Sequence, residues 1–198
     1  NTETLMSSNF GVPQNRKRAF FVGFKNGHDF KFPETDTYRQ ISSSDAISDL
    51  TENSLKDGSS YPCSPMSIYQ KQIRNRSKAI FNHQTTNHSE KTVKIIAMVP
   101  DGGNYKSLPE QLRETRKVNI AWTRLNSQKP SFTIDTGHRH HFHYKYNRVP
   151  TVRESARIQT FPDNWEFMGS MSSQYKQIGN AVPVNLGYAV ARSLIRLL

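Results

Sequence analysis

Apolar positions along this chain gather at its two ends. Residues 19–24, AFFVGF, form a continuous apolar run. That pattern predicts a strand buried on both faces, as in a mostly parallel sheet. At the other end, PVNLGYAVARSLIRLL is periodic at helical spacing. Asn185, Ala189, Arg192 and Arg196 share one face, Val184, Tyr188, Ala191, Ile195 and Leu198 another, and Pro183 suits the first turn. The middle is more polar. A short helix is expected within SDAISDL (44–50). A second is expected over 67–80, opened by a Ser67/Gln70 capping box, and a third over 89–99, capped by Ser89 and stopped by Pro100 and the turn DGG. NIAWTRL (119–125) and SFTIDT (131–136) read as strands. A further helix begins after Thr151, with Glu154 reaching back from its third position and Pro162 closing it. The pattern is α/β at the ends and α+β between them.

Composition narrows the class. A length of 198 residues suits one domain or one and a part. A single cysteine excludes an internal disulfide and any cysteine-rich zinc site, which points to a reducing compartment. No apolar run reaches about 18 residues, so no membrane span is expected. NTETLMSSNF lacks a signal-peptide pattern and an initiator Met, so the chain is expected to begin inside a longer reading frame. The Asn-x-Ser tripeptides at Asn75 and Asn87 are then chance. The formal charge of +11, with basic residues interleaved among aromatics, is the field of a nucleic-acid-binding surface.

Three segments carry candidate chemistry. In GVPQNRKRAFFVGF (11–24), Gln14, Arg16 and Arg18 are spaced by two. In extended backbone they point to one side, where two guanidiniums and an amide suit phosphate or base-edge recognition. In RVPTVRESARIQTFPDNW (148–165), Arg153 and Arg157 lie four apart on a short capped helix, placed either to grip a phosphate or to hold two subdomains together. In QIGNAVPVNLG (177–187), a Gly-Asn turn at a helix start would present backbone N–H groups to a polar ligand.

In this order, the segments resemble the closing part of the bacterial DNA (cytosine-5)-methyltransferases. The family's Gly-Val-Pro-Gln-x-Arg-x-Arg, Arg-x-x-Thr-x-Arg-Glu-x-x-Arg-x-Gln-x-Phe-Pro and Gly-Asn-Ala-Val-Pro segments match at 11–18, 148–162 and 179–183. NHSEK, PDGGNYKSLP and TRLNSQKPSFTI resemble segments of smaller bacterial members. The resemblance implies C-terminal strand and helix elements of a Rossmann-like methyltransferase domain (1–26 and 172–198) plus an α+β target-recognition domain (27–171). It implies methyl transfer from S-adenosylmethionine to carbon 5 of a cytosine flipped out of duplex DNA, within a bacterial restriction-modification system. A cytoplasmic, nucleoid-associated protein would follow.

By the same resemblance, Arg18 holds the flipped cytosine, Arg16 is its phosphate-binding neighbour and Gln14 lines the cleft. Asn180, Ala181 and Val182 close over the cofactor, and Arg153, Glu154 and Arg157 organise the recognition region, with Arg153 among the DNA-binding candidates. The family's Phe-x-Gly-x-Gly loop, Pro-Cys-Gln nucleophile and Glu-Asn-Val glutamate have no counterpart in the sequence. PCSPMS around Cys63 mimics the nucleophile loop, but Ser64 replaces the Gln and no Glu-Asn-Val follows, so Cys63 reads as a loop cysteine. The expectation is a split subunit or a fragment, inactive alone, whose nucleophile and cofactor pocket come from an N-terminal half or a partner subunit. The alternatives are a catalytically dead DNA-binding module and a part of an RNA cytosine-5 methyltransferase; the long basic middle argues against the RNA reading.

Within the middle, Arg124 and Arg139 flank SFTIDT and are the candidates for guanine edges, or for phosphates alone. His138, His140, His141 and His143 raise the possibility of zinc, but no Cys or nearby carboxylate joins them and no metal is expected.

Overall fold

The computed structural model describes the chain apart from residues 26, 28, 36–39, 76, 114–121, 137–140 and 198. Strands β1 (Thr2–Met6) and β2 (Lys17–Phe21) pair antiparallel, with Leu5 opposite Arg18. A 3-10 turn at Ser7–Phe10, closed by Gly11 at φ 67°, leaves β1. A Cβ would strain that left-handed backbone, which is why a glycine stands there. Leu5, Phe10, Val12 and Phe30 form one core with Leu186 and Val190 of the C-terminal helix. The expectation of a strand buried on both faces is corrected here. β2 has one strand neighbour and one covering layer among the described residues, so Phe20 packs inward while Phe21 is 80% exposed.

Helix α1 (Ser43–Ile47) is opened by a full capping box between Ser42 and Asp45. In α2 (Ile68–Arg74), Ser67 accepts from the Gln70 N–H as expected. The Gln70 side chain, however, accepts from Met66 N at 2.6 Å, one residue further back than a capping box requires. The helix stops six residues earlier than the apolar pattern implied, because Asn75 adopts φ 47°. Helix α3 (Glu90–Ala97) is capped by Ser89, and α4 is a single turn (Glu110–Arg113).

β3 (Thr123–Arg124) pairs in parallel with β4 (His141–Phe142), and around them Ile95, Ile96, Val99, Leu108, Trp122, Phe142 and Val149 make a second core. Residues 119–121 of the expected strand lie outside the described residues. The other expected strand, 131–136, is not its partner. It runs beside the lead-in to β2: Ser131 bridges Gln14, Asn15 N donates to Ser131 O at 2.8 Å, and Ser131 N donates to Pro13 O at 2.9 Å.

Helix α5 (Val152–Ile158) has the Thr151/Glu154 capping box expected of it, and all seven of its residues are buried. It packs between α1 and α6 (Met171–Asn180) in the third and largest core, which includes Ile47, Tyr69, Ile73, Leu125, Tyr175 and Ile178. The Gly-Asn pair is thus the last turn of α6, not a turn at a helix start. α7 (Val184–Ile195) follows. Leu186 and Val190 are its buried contacts, on neither face read from the sequence, and the apolar face read there leaves Tyr188 63% and Ile195 68% exposed. No described helix is long and apolar enough to cross a membrane.

Candidate functional site

The three sequence segments meet at one buried node. Gln14 is fully buried; its Nε2 donates to Gln159 Oε1 at 3.0 Å and its Oε1 accepts from Ile134 N at 2.8 Å. Gln159 Nε2 donates in turn to Ile178 O at 2.9 Å, near the end of α6. Arg16, also buried, donates from Nη1 to Ile134 O at 2.7 Å and from Nη2 to Gly179 O at 2.5 Å. One guanidinium thereby joins the first segment to the third across residues 134–135. Gly179 is needed for that approach: a Cβ there would stand 2.3 Å from Asp135 O.

Alternation along 14–18 follows the spacing by two. Gln14 and Arg16 turn inward, Asn15 and Lys17 are exposed, and Arg18 is partly exposed, with Nη1 on the neighbouring Lys17 O at 2.9 Å. Arg18 is therefore the guanidinium of the segment that presents itself to solvent, two residues from the node. Asn180 is exposed, Ala181 half-buried and Val182 40% exposed, immediately beyond Gly179.

Arg153, Glu154 and Arg157 sit in a buried ionic lattice. Arg157 forks onto Asp163 (Nε–Oδ1 2.9 Å, Nη2–Oδ2 2.7 Å), and its Nη1 reaches Asp49 Oδ1 at 2.5 Å. Arg74 takes the other Asp49 oxygen. Arg153 donates to Phe81 O at 2.9 Å and Trp165 O at 2.6 Å, with Asp163 3.8 Å away. Burial penalises the Arg157 charge, but Asp163 and Asp49 outweigh it and raise its pKa, whereas burial dominates at Arg153 and lowers it. Glu154 accepts both Arg148 bonds, at 2.7 and 2.8 Å, and the Thr151 N–H at 2.7 Å. Burial alone would raise the Glu154 carboxyl; His143 and Arg148 overcome it and hold the group down at about 2.

Three DNA-contact candidates are placed differently from what the sequence implied. Arg16, read as a phosphate-binding neighbour, is buried with its guanidinium on Ile134 O and Gly179 O, so it knits backbone and does not face a phosphate. Arg124 is buried, and its donors go to Val99 O, His143 O, Tyr146 O, Ile96 O and Asn147 Oδ1. It closes the carbonyl end of α3 onto the β4 loop, so its guanidinium does not face a base edge. Arg153 is fully buried with its donors on protein carbonyls, so of its two readings the structural one fits. Arg139, with His138 and His140, lies outside the described residues. His143 Nδ1 accepts from Lys145 N and Tyr146 N, His141 stacks on Phe132, and no group of three or more metal-ligating side chains occurs among the described residues. Cys63 is exposed in the loop before α2, with its Sγ on Asp49 O at 3.5 Å.

Sequence reasoning passed over Gln159, Thr160, Asp49 and Asp163. A usable signal existed for the two acids: VRESARI places two arginines on a helix of seven residues, and a helix that short needs partners for both if it is to be buried.

The model of the C-5 cytosine-specific DNA methylase family matches residues 1–196, and the chain belongs to that family. It is 33% identical over 195 residues to the type II methyltransferase M1.HphI of Haemophilus parahaemolyticus, covering 98% of this chain and 47% of that protein. It is 35% identical to M.Eco47II of Escherichia coli, covering 96% of this chain and 44% of that one. The chain spans about half the length of these curated relatives. Its fold matches that of a prophage-encoded E. coli protein assigned as a DNA modification methyltransferase, with a TM-score of 0.78 at 21% identity, over 100% of this chain and 60% of that one. The mixed α/β fold is that of a methyltransferase.

Proposed function

We propose that this chain is the C-terminal part of a DNA cytosine-5 methyltransferase of a restriction-modification system, supplying target recognition and completing an active site whose nucleophile and cofactor loop lie in an N-terminal half or partner subunit. The observation that carries the reading is the Arg16–Gly179 bond of 2.5 Å. It brings Arg18, read as the residue holding the flipped cytosine, and Asn180–Val182, read as the lid over S-adenosylmethionine, to either side of one node. Base and methyl donor must approach within bonding distance during transfer, so the residues that hold them must be neighbours. S-adenosylmethionine supplies the methyl group. The residues of this chain hold the base, restrict the cofactor and exclude water.

Exposed apolar side chains on the hairpin and α7, Phe21, Tyr188 and Ile195, support an incomplete domain, since an isolated two-stranded hairpin buries too little to stand alone. In this reading 1–26 and 172–198 belong to the catalytic domain and 27–171 to the recognition domain. Phosphates are met by the exposed lysines of the basic surface, while Arg124 and Arg153 shape the recognition region from within. Arg139 stays the candidate for a guanine edge.

The test is transfer of labelled methyl groups from S-adenosylmethionine to unmethylated duplex DNA, with transfer RNA as competitor. The purified chain alone is expected to incorporate nothing, and to become active when combined with an N-terminal half carrying the Pro-Cys-Gln and Glu-Asn-Val segments. Incorporation by the chain alone would sink the reading and make Cys63 the candidate nucleophile, with Cys63→Ser as control. Preference for transfer RNA over duplex DNA would equally overturn it.

A further inference from the structure

Helix α7 begins without a cap of its own. Its N-cap position is Pro183, which offers no side-chain acceptor. Its first two N–H groups are instead satisfied from the end of α5: Val184 N donates to Gln159 O at 3.1 Å, and Asn185 N donates to Thr160 Oγ1 at 2.9 Å. The Thr160 hydroxyl donates its own hydrogen bond to Gln159 O at 2.6 Å, which aims its lone pairs at Asn185. On the near side of the same linker, Gln159 Nε2 holds Ile178 O at 2.9 Å. One dipeptide, Gln159–Thr160, thus grips the chain both before and after residues 179–183.

Thr160 adopts φ 63° and is buried. A β-branched residue avoids that region, and such backbones persist where surrounding contacts over-determine them and where placement matters. Here the left-handed turn aims the hydroxyl at the start of α7, because a right-handed residue would carry the chain onward as another turn of α5. The contact costs backbone strain and supplies a cap in trans.

We propose that Thr160 is the positioning residue for the 180–182 segment: its hydroxyl fixes the start of α7 and thereby the path of the linker that closes on the cofactor. The inference rests on the reading of 180–182 as the cofactor lid. It adds that the lid is set from the recognition side, through the C-terminal end of α5.

Amide hydrogen exchange on the purified chain tests the cap independently of catalysis. In Thr160→Val, which keeps the shape and loses the acceptor, and in Thr160→Gly, which accepts the backbone and loses the acceptor, amides of 180–187 should exchange at least about tenfold faster, with peptides over 43–74 unchanged. Thr160→Ser should stay within about twofold of the parent chain. Unchanged exchange at 180–187 in the Gly variant, or loss in Ser equal to that in Gly, would overturn the proposal, and so would loss spread evenly over 43–74. In the reconstituted enzyme, Thr160→Gly should raise KM for S-adenosylmethionine several-fold and leave KM for DNA in place; a matching rise in both would also overturn it. Absence of any methyl transfer by the reconstituted parent would count against the methyltransferase reading and leave the exchange result standing.

Discussion

Arg16 and Gly179 lie 163 positions apart in sequence, and the guanidinium of one donates to the carbonyl of the other at 2.5 Å while its second nitrogen donates to Ile134 O at 2.7 Å. Both acceptors are backbone carbonyls in a buried setting, so removing the donor leaves two unpaired groups. Arg16→Met should therefore destabilise the chain by about 2–4 kcal/mol. Arg16→Lys should recover less than half, because an ammonium cannot fork to both carbonyls. Urea unfolding measures both. A loss under about 1 kcal/mol for the Met variant would show that the node is not under load.

Gly179→Ala probes the same junction from the other side. The added Cβ meets backbone, Asp135 O at 2.3 Å and Thr136 N at 2.7 Å, which has no rotamer by which to withdraw. Forced separation of 135–136 from α6 should cost about 1–3 kcal/mol. It should also weaken the Arg16 and Gln159 bonds, so Gly179→Ala and Arg16→Met should combine to less than the sum of their separate losses.

Arg18 and Arg157 should separate function from stability. Arg157 is fully buried between Asp49 and Asp163, so Arg157→Leu leaves Asp49 with Arg74 alone and Asp163 with the Tyr61 hydroxyl and a more distant Arg153, and should cost about 3–5 kcal/mol, enough to unfold a marginal chain by circular dichroism. Arg18 is partly exposed and, among the described residues, holds its neighbour's carbonyl alone, so Arg18→Ala should change stability by no more than about 0.5 kcal/mol. In the reconstituted enzyme the same variant should lose nearly all methyl transfer. Retained transfer would remove Arg18 from the base-holding role.

What was legible in the sequence was local. The Ser89 cap, the Thr151/Glu154 box and the helix of α7 each depend on residues within one or two turns, and each is found; the faces of α7 are not, since its buried residues Leu186 and Val190 lie on neither face read from the sequence. What depended on distant partners was not legible. The segment 131–136 has the composition of a strand, yet its neighbour is Gln14, over a hundred positions away, and nothing local specifies that. α6 reads MSSQYKQIGN, with Tyr175 and Ile178 as its anchors, too thin a stripe to mark a helix. The arginines of α5 look exposed by helical periodicity because the fold covers them: Asp49 comes from over a hundred positions away, and Asp163, though close in sequence, is turned back onto Arg157 only after the helix ends. The candidate site shows the same division. Residue types and spacing pointed to Gln14, Arg16 and Arg18, but only the fold separates the two that knit the node from the one left facing solvent.

Acid sensitivity follows from the His143–Glu154 pair. His143 Nδ1 accepts two backbone N–H groups, from Lys145 at 3.0 Å and Tyr146 at 3.1 Å, so protonating that nitrogen breaks both bonds in a buried site. Burial lowers its pKa from 6.5 to about 4, and burial lowers His83 as well. Between those two values the unfolded chain binds a proton at this position that the folded chain does not, so stability falls as pH drops from 6.5 toward 4. The His143 contribution is roughly 3 kcal/mol across that window. Glu154 extends the loss from 4.5 down to about 2, the range in which the unfolded carboxyl takes up a proton before the folded one does. The urea midpoint should be flat between about pH 7 and 9, decline steadily below 6.5, and fall again above about 10, where unfolded tyrosines ionise before the buried Tyr61 and Tyr144 do. His143→Gln keeps an acceptor near the two N–H groups but does not titrate, so it should flatten the upper part of that decline; it also removes the largest charge holding Glu154 down, so the Glu154 part should shrink to what Arg148 sustains. A His143 ring that titrates near 6.5 by NMR in the folded chain would contradict both the burial and the turn geometry assigned to it.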